Sequence, residues 1–477
     1  IITVSFLNFQ FNFFHVVSNE RFDYFQVESE QFVTDGYLNS ILNNYELTLG
    51  QFKRPSIDMF NEGHKYKPRE WYKNKFVEGD FWEYKSHFGL QKYIFFFLDG
   101  NLFLLHCLSS LFMSLFVLLI FCFIKRQYSS TFAIIFTVVL ILSPWIVPLA
   151  RNGYFLLSIT FLPFLTVLFF VEKIIQSRAK LALMLFFIGL FIFLKSLIGY
   201  DYLSNIVLSA LIPLIYYYSK NKITLKKTLL ISLGVFIVSI AGFSSAVGLH
   251  YFSLEKIEEN PGKWIYYTAA KRLSSNDSDQ VAYETCYELL KDENGNFDLN
   301  SKESISCLEE IKTSLSVSRF SVIKKYLSSR YLIPFVGSFH LNITKMQKGD
   351  LKNIFNSPST KTDKIKGLVN YMWTNWNNFS FLELFSVFCN YVLSFILFII
   401  LLILYIKEIF VSNNKRKLYL ISILLPPLSW MILAKGHAYV TVYQCSYFIM
   451  YIPTIPFMIA EVLKPSSKTK IKNQIKN

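Results

Sequence analysis

Residues 102–124 read LFLLHCLSSLFMSLFVLLIFCFI and are followed at once by Lys125-Arg126. No Asp, Glu, Lys or Arg interrupts the run. Its length matches the roughly 20 residues that a helix rising about 1.5 Å per residue needs to cross about 30 Å of hydrocarbon. Comparable runs lie on either side, at 1–17, 131–149, 154–172, 181–197, 201–218, 228–249, 382–406, 417–434 and 440–463. The sequence therefore predicts an all-α polytopic membrane protein with about ten transmembrane helices and two large extracytoplasmic loops.

Composition agrees. Of 477 residues 53% are hydrophobic and the mean hydropathy is +0.35, more apolar than a soluble domain with a solvated surface. A net charge of +15 in a soluble protein would raise the question of nucleic acid, but here the basic residues gather at the ends of the apolar runs, and no nucleic-acid partner is expected. Lys125-Arg126, Lys173 to Lys180, Lys220 to Lys227, Lys407 to Lys417 and the tail from Lys464 fall on alternate sides of successive spans, so all five share one face. The positive-inside rule makes that face cytoplasmic. Residues 1–17 are then the first span, short and without an initiating Met, so the reading is of a truncated first helix, with a cleaved signal peptide as the competitor. Residues 18–100 form the first extracytoplasmic loop, 101–249 hold spans two to seven, 250–380 form the second loop, 381–463 hold spans eight to ten, and 464–477 are a basic cytoplasmic tail. The richness in Phe, Ile, Lys and Asn fits an AT-rich bacterial genome, hence a bacterial inner membrane.

Four cysteines (Cys107, Cys122, Cys389, Cys445) lie within apolar runs, where a thiol behaves as a small hydrophobe. Cys286 and Cys307 lie in the second loop. A disulfide between them would close a loop of about 20 residues and contribute roughly 3 kcal/mol, two free thiols being the alternative. The first loop carries apolar-periodic stretches near Phe32 to Leu49 and Phe81 to Leu98, predicted as amphipathic helices on the membrane surface, with Trp71, Tyr72, Trp82 and Tyr84 suited to headgroup depth. The second loop divides into a polar part, 253–316, and an aromatic and basic part, 317–380. Its Asp292-Glu293-Asn294-Gly295-Asn296 stretch is a turn without the spaced carboxylates of a calcium loop. Asn276, Asn342 and Asn378 begin Asn-x-Ser/Thr triplets, which matter only in a eukaryotic secretory pathway. The sequence contains no glycine-rich phosphate loop, zinc spacing or nucleophile elbow.

Ionisable groups near membrane depth carry the functional information, because each costs several kcal/mol unless it faces a cavity, a partner or headgroups. Arg151 lies in the turn Pro148-Leu149-Ala150-Arg151-Asn152-Gly153, Lys195 ends a span ahead of Gly199-Tyr200-Asp201, and Lys435-Gly436-His437 forms a third outer turn. These cations break the positive-inside pattern and point to an anion at the outer leaflet; snorkelling to lipid phosphate, or local pairing of Lys195 with Asp201, is the alternative. In the first loop Glu28, Glu30 and Asp35 supply carboxylates that would serve as a general base or as ligands for a divalent ion, or else form a solvated helix face.

Asp35-Gly36-Tyr37 followed by Ile41-Leu42, Gly50, Phe52 and Pro55, then Tyr84 to Gln91 entering the second span and Trp430 to His437 ahead of a Pro-containing last span, resembles the C-type (GT-C) integral-membrane glycosyltransferases. The resemblance implies transfer of a sugar from a polyprenyl-phosphate-linked donor to a glycan, lipid or protein acceptor at the outer face of the bilayer. It implies that Asp35 is the catalytic base, with Glu30 its rival, and that Glu28, Arg151, Lys195, Lys435 and His437 bind substrate. An envelope-polysaccharide polymerase is the runner-up. The scarcity of charge in the middle of the spans argues against a flippase or an ion-coupled transporter.

Overall fold

A computed structural model describes residues 1–17, 22, 23, 25, 27–52, 80–143, 146–174, 177–273 and 394–434, with single positions and short stretches between 282 and 322 and residue 366. Its elements are α1 (Ile2–Phe11), α2 (Val27–Asn43), β1 (Gly50–Phe52), β2 (Phe81–Glu83), α3 (Leu90–Phe97), α4 (Leu102–Gln127), α5 (Ser130–Ile141), α6 (Ile146–Ala150), α7 (Leu157–Ile174), α8 (Arg178–Ile198), α9 (Leu203–Ser219), α10 (Leu225–Leu254), α11 (Pro261–Leu273), α12 (Ser394–Val411) and α13 (Asn414–Leu433). Among the described residues five helices, α4, α7, α8, α10 and α13, are long and apolar enough to cross a bilayer. The chain is a predominantly helical membrane protein. The run at 440–463 and the tail from Lys464 lie outside the described residues.

The helices form a bundle with two distinct ends. At one end the Arg126 guanidinium pairs with Glu172, whose carboxylate also accepts from Tyr217 Oη at 2.6 Å, so the C-termini of α4, α7 and α9 meet. Lys415 Nζ donates to Asn221 Oδ1 at 2.6 Å and brings the start of α13 to the same place. Ser177, Thr224 and Asn413 begin α8, α10 and α13 there, each side-chain oxygen accepting a backbone N–H of the first turn, a cap worth about 1 kcal/mol. This is the basic end of the bundle. The far end carries α2, the β1–β2 pair and α3, tied to α10 and its continuation by Lys85 with Glu258 and by Lys256 with Glu46 at 3.0 Å.

Packing follows from small residues and apolar stripes. α8 and α10 approach so closely that a Cβ on Gly242 would sit 2.4 Å from the Gly189 carbonyl oxygen, the small-residue contact by which helices associate in lipid. The opposite side of α10 exposes Leu229, Leu233, Phe236, Ile237 and Ile240, an apolar face suited to acyl chains. At 30 residues, α10 is about 45 Å long and overshoots the hydrocarbon, carrying His250 and Leu254 up to the first loop.

Three segments differ from the periodicity reading. The run at 1–17 is helical only over Ile2–Phe11; Asn12 is left-handed and its side chain bonds Val17 O (2.6 Å) and Val17 N (3.4 Å), closing a turn. The run at 131–149 breaks after Ile141, whose carbonyl accepts from Asn8 Nδ2 at 2.7 Å instead of continuing the helix. Buried Ser5, Asn8, Gln10 and Asn12 make α1 a polar strut against this break rather than a plain apolar span. In the first loop Phe81–Glu83 is a strand paired antiparallel with Gly50–Phe52, not the start of a helix. Phe52 and Phe81 meet edge to face at 5.1 Å across this pair. Gly36 on α2 permits the approach, since a Cβ there would collide with Thr48 O at 2.0 Å. Cys286 and Cys307 form a disulfide.

Candidate functional site

Glu30 lies on the buried face of α2 and is 2% exposed. Its Oε1 lies 2.7 Å from His106 Nε2, one turn into α4, and accepts the Gly153 N–H at 3.0 Å. Ser109 Oγ, three residues on from His106, donates to Ala150 O at 2.8 Å, and Asn152 Oδ1 accepts from Tyr154 N (3.0 Å) and Phe155 N (3.2 Å). The turn 150–155 is thereby pinned between α2 and α4. Removing a carboxylate from water costs several kcal/mol, and the imidazole together with a backbone N–H supplies compensation.

Arg151 lies in the same turn. Its guanidinium donates to Phe22 O at 2.6 Å and to Asp23 Oδ1 at 3.0 Å, and stacks 3.6 Å above the Phe22 ring. Arg151 thus clamps the start of the first loop. Lys195 is 5% exposed and donates to Gly199 O at 2.7 Å, closing the C-terminus of α8. It lines a cleft of about 370 Å³ with Tyr154, Thr160, Asp201 and Tyr202. Tyr154 links this cleft to Glu30, because Gly153, its neighbour, donates to that carboxylate.

Asp35 takes another direction. Five residues of helix rotate a side chain by about 140°, so Asp35 and Glu30 leave α2 on different sides. Asp35 is 1% exposed and its Oδ2 accepts the Phe52 N–H at 3.2 Å, which ties β1 to α2. The three first-loop carboxylates do not form one cluster that the described residues show: the Glu28 side chain, Lys435 and His437 lie outside the described residues. Among the described residues no group of three His, Cys, Asp or Glu side chains has the arrangement of a metal site.

A second cleft, about 400 Å³, opens between the first loop and the end of α10, lined by Glu46, Thr48, Glu83, Tyr84, Lys85, His87, Phe88, Lys92 and His250. Lys92 is 5% exposed, its ammonium 5.2 Å from the Phe88 ring centre and 5.1 Å from that of Tyr93. Burial pushes its pKa down to about 8, outweighing the attraction of Glu46 and Glu83. Ring contacts join the clefts: Phe32 stacks on Tyr84 at 4.2 Å, and Tyr84 meets His87 at 5.3 Å and His87 meets Tyr154 at 5.8 Å, both edge to face.

The sequence reading did not single out His106, Tyr154, Lys92 or His250. For His106 the signal was present, a lone imidazole in an otherwise uncharged apolar run. No family model matches the chain, and no curated protein or solved structure matches it.

Proposed function

We propose that this chain is a membrane glycosyltransferase that moves a sugar from a polyprenyl-phosphate-linked donor to an acceptor hydroxyl at the outer face of the bilayer. The observation that carries the reading is the buried Glu30–His106 pair at the end of the bundle remote from its basic turns, linked through Gly153 to Tyr154 on the wall of the Lys195 and Asp201 cleft. The positive-inside rule places that end on the extracytoplasmic side.

In this mechanism the acceptor oxygen attacks the anomeric carbon while the bond from that carbon to the phosphate oxygen breaks. The leaving phosphate gains negative charge, and Lys195 is the cation that meets it, with Arg151 ordering the loop that shapes the cleft. The hydroxyl proton passes to the Glu30 carboxylate, and His106 holds that carboxylate in position. Glu30 is taken as the base rather than Asp35 because the turn it holds through the Gly153 N–H continues into Tyr154 on the wall of the Lys195 cleft, whereas Asp35 holds the β1 backbone. A positioned base contributes about 10² to 10⁴ in rate.

The test is transfer of radiolabelled sugar from a panel of undecaprenyl-phosphate sugars in membranes holding wild type, Glu30→Gln or Lys195→Met. Loss of at least about a hundredfold in Glu30→Gln at unchanged protein level supports the assignment. Full activity in that variant overturns the base, and no transfer by wild type moves the reading to a polymerase of envelope polysaccharide.

A further inference from the structure

We infer that the turn between α9 and α10, together with the start of α13, is a docking site for the headgroup of an anionic phospholipid in the leaflet at the basic end of the bundle. α9 separates this site from the Lys195 cleft, since Tyr202 lines that cleft at one end of the helix and the turn follows Ser219 at the other. The site does not depend on the glycosyl-transfer reading.

The segments 219–227 and 412–417 hold seven Lys or Arg residues and no Asp or Glu. The positive-inside rule asks only that such charges lie on one face, whereas here the fold brings three of them to one place. Asn221 takes the left-handed conformation, and the N–H groups of Lys220 and Lys222 donate to Tyr216 O at 3.1 Å and Tyr217 O at 3.0 Å, so the turn closes back onto the end of α9. Lys415, 194 residues away from Asn221, donates to its Oδ1 at 2.6 Å. The ammonium groups of Lys220, Lys222 and Lys415 then lie 5.3, 5.0 and 5.4 Å from the ring centres of Tyr216, Tyr217 and Tyr218. A ring face positions an ammonium without cancelling its charge. The carboxylates described at this end are engaged elsewhere. Glu172, which attracts Lys222, already pairs with Arg126 and accepts from Tyr217, and Glu408 pairs with Arg416 at 3.0 Å.

Charge selects an anion, and the surroundings select a lipid. Lys222 and Lys415 are exposed, and an ammonium carries three N–H donors, of which Lys415 uses one on Asn221. Tyrosines at the end of an apolar helix mark headgroup depth, where clustered lysines attract anionic headgroups. Next along the chain, Leu225, Leu229 and Leu230 on α10 and Leu418 and Ile421 on α13 are exposed, and α9 packs against both helices. Acyl chains cover such apolar surface. A free phosphate would meet the lysines and leave it bare, whereas a phospholipid matches both parts.

The experiment uses the full chain purified in a neutral detergent. Unfolding temperature is read as phosphatidylglycerol, phosphatidylethanolamine or glycerol 1-phosphate is added, and bound lipid is counted by native mass spectrometry. Phosphatidylglycerol should raise the unfolding temperature and remain bound where phosphatidylethanolamine does not. Lys220→Gln, Lys222→Gln and Lys415→Gln together should raise its half-saturating concentration at least about tenfold, with unfolding temperatures in the absence of lipid confirming that the variant folds. Arginine at the same three positions should restore the response. Lys125→Gln, Lys173→Gln and Lys180→Gln together remove as much charge from the same end and should leave the response as in wild type. Equal responses to the two lipids, equal losses in the two glutamine variants, or the full shift with glycerol 1-phosphate alone would each overturn the lipid site.

Discussion

The Glu30 carboxylate and the His106 imidazole meet at 2.7 Å across 76 residues of sequence, joining the first loop to the first long span. Removing either partner should have unequal consequences. His106→Ala leaves a carboxylate buried without its imidazole and should destabilise the protein by about 3 to 5 kcal/mol, whereas Glu30→Gln keeps a neutral acceptor for Gly153 N–H and should cost less. Thermal unfolding in detergent compares the two, and a His106→Ala variant as stable as Glu30→Gln would contradict the pair's structural weight.

Asp35 is expected to behave as a brace. Asp35→Asn retains an oxygen for the Phe52 N–H and should keep most of the wild-type stability and transfer. Asp35→Ala orphans that N–H at a buried position and should lose about 1 to 3 kcal/mol. A catalytic role would appear instead as a dead Asn variant of normal stability.

Lys92 makes stability depend on pH with a definite sign. Its pKa falls from 10.5 in the unfolded chain to about 8 in the fold, so between those values the unfolded state binds the extra proton. Stability should therefore rise as pH increases from about 8 to 10.5, by up to about 3 kcal/mol from this one group. Lys92→Met should be more stable than wild type at pH 7 and should flatten the rise. Unfolding temperatures across that range decide it, and parallel curves for the two proteins would contradict the burial of the amine.

Gly242 tests the helix contact. Gly242→Val places a branched side chain against the Gly189 carbonyl, which the backbone can accept only by separating α8 from α10. The expected result is a loss of about 1 to 3 kcal/mol and lower yield in membranes, whereas Gly248→Ala, with open space around it, should be silent.

The apolar runs were legible because a long uncharged stretch has few alternatives to a helix, and the runs at 102–124, 154–172, 181–197, 201–218 and 228–249 correspond to α4 and α7 to α10 within a few residues at most termini. The breaks were not legible. Periodicity treats 131–149 as one segment because the reason it stops, the Asn8 amide on Ile141 O, lies 133 residues away. The β1–β2 pair was hidden for a similar reason: three-residue strands carry too little alternation to register, and their pairing depends on Gly36 giving way to Thr48. In the site, charge breaking a pattern pointed to Arg151 and Lys195, while Glu30 and Asp35 separated only once the helix phase of α2 was known. Lys92 was not singled out, since nothing in local sequence says that the short helix carrying it will be buried at the end of the bundle.

The bond from Asn8 to Ile141 also bears on how the protein is made. α4 descends to the basic end and α7 starts again from the far end, so the chain returns through α5 and α6 with an interruption between them. An interrupted helix presents bare backbone groups that hydrocarbon will not solvate. Here the group that donates to one of them, the Asn8 amide, belongs to a segment synthesised more than a hundred residues earlier. The return crossing is thus braced at its break by α1, so that a short helix and a turn far along the chain depend on each other for a place in the bilayer.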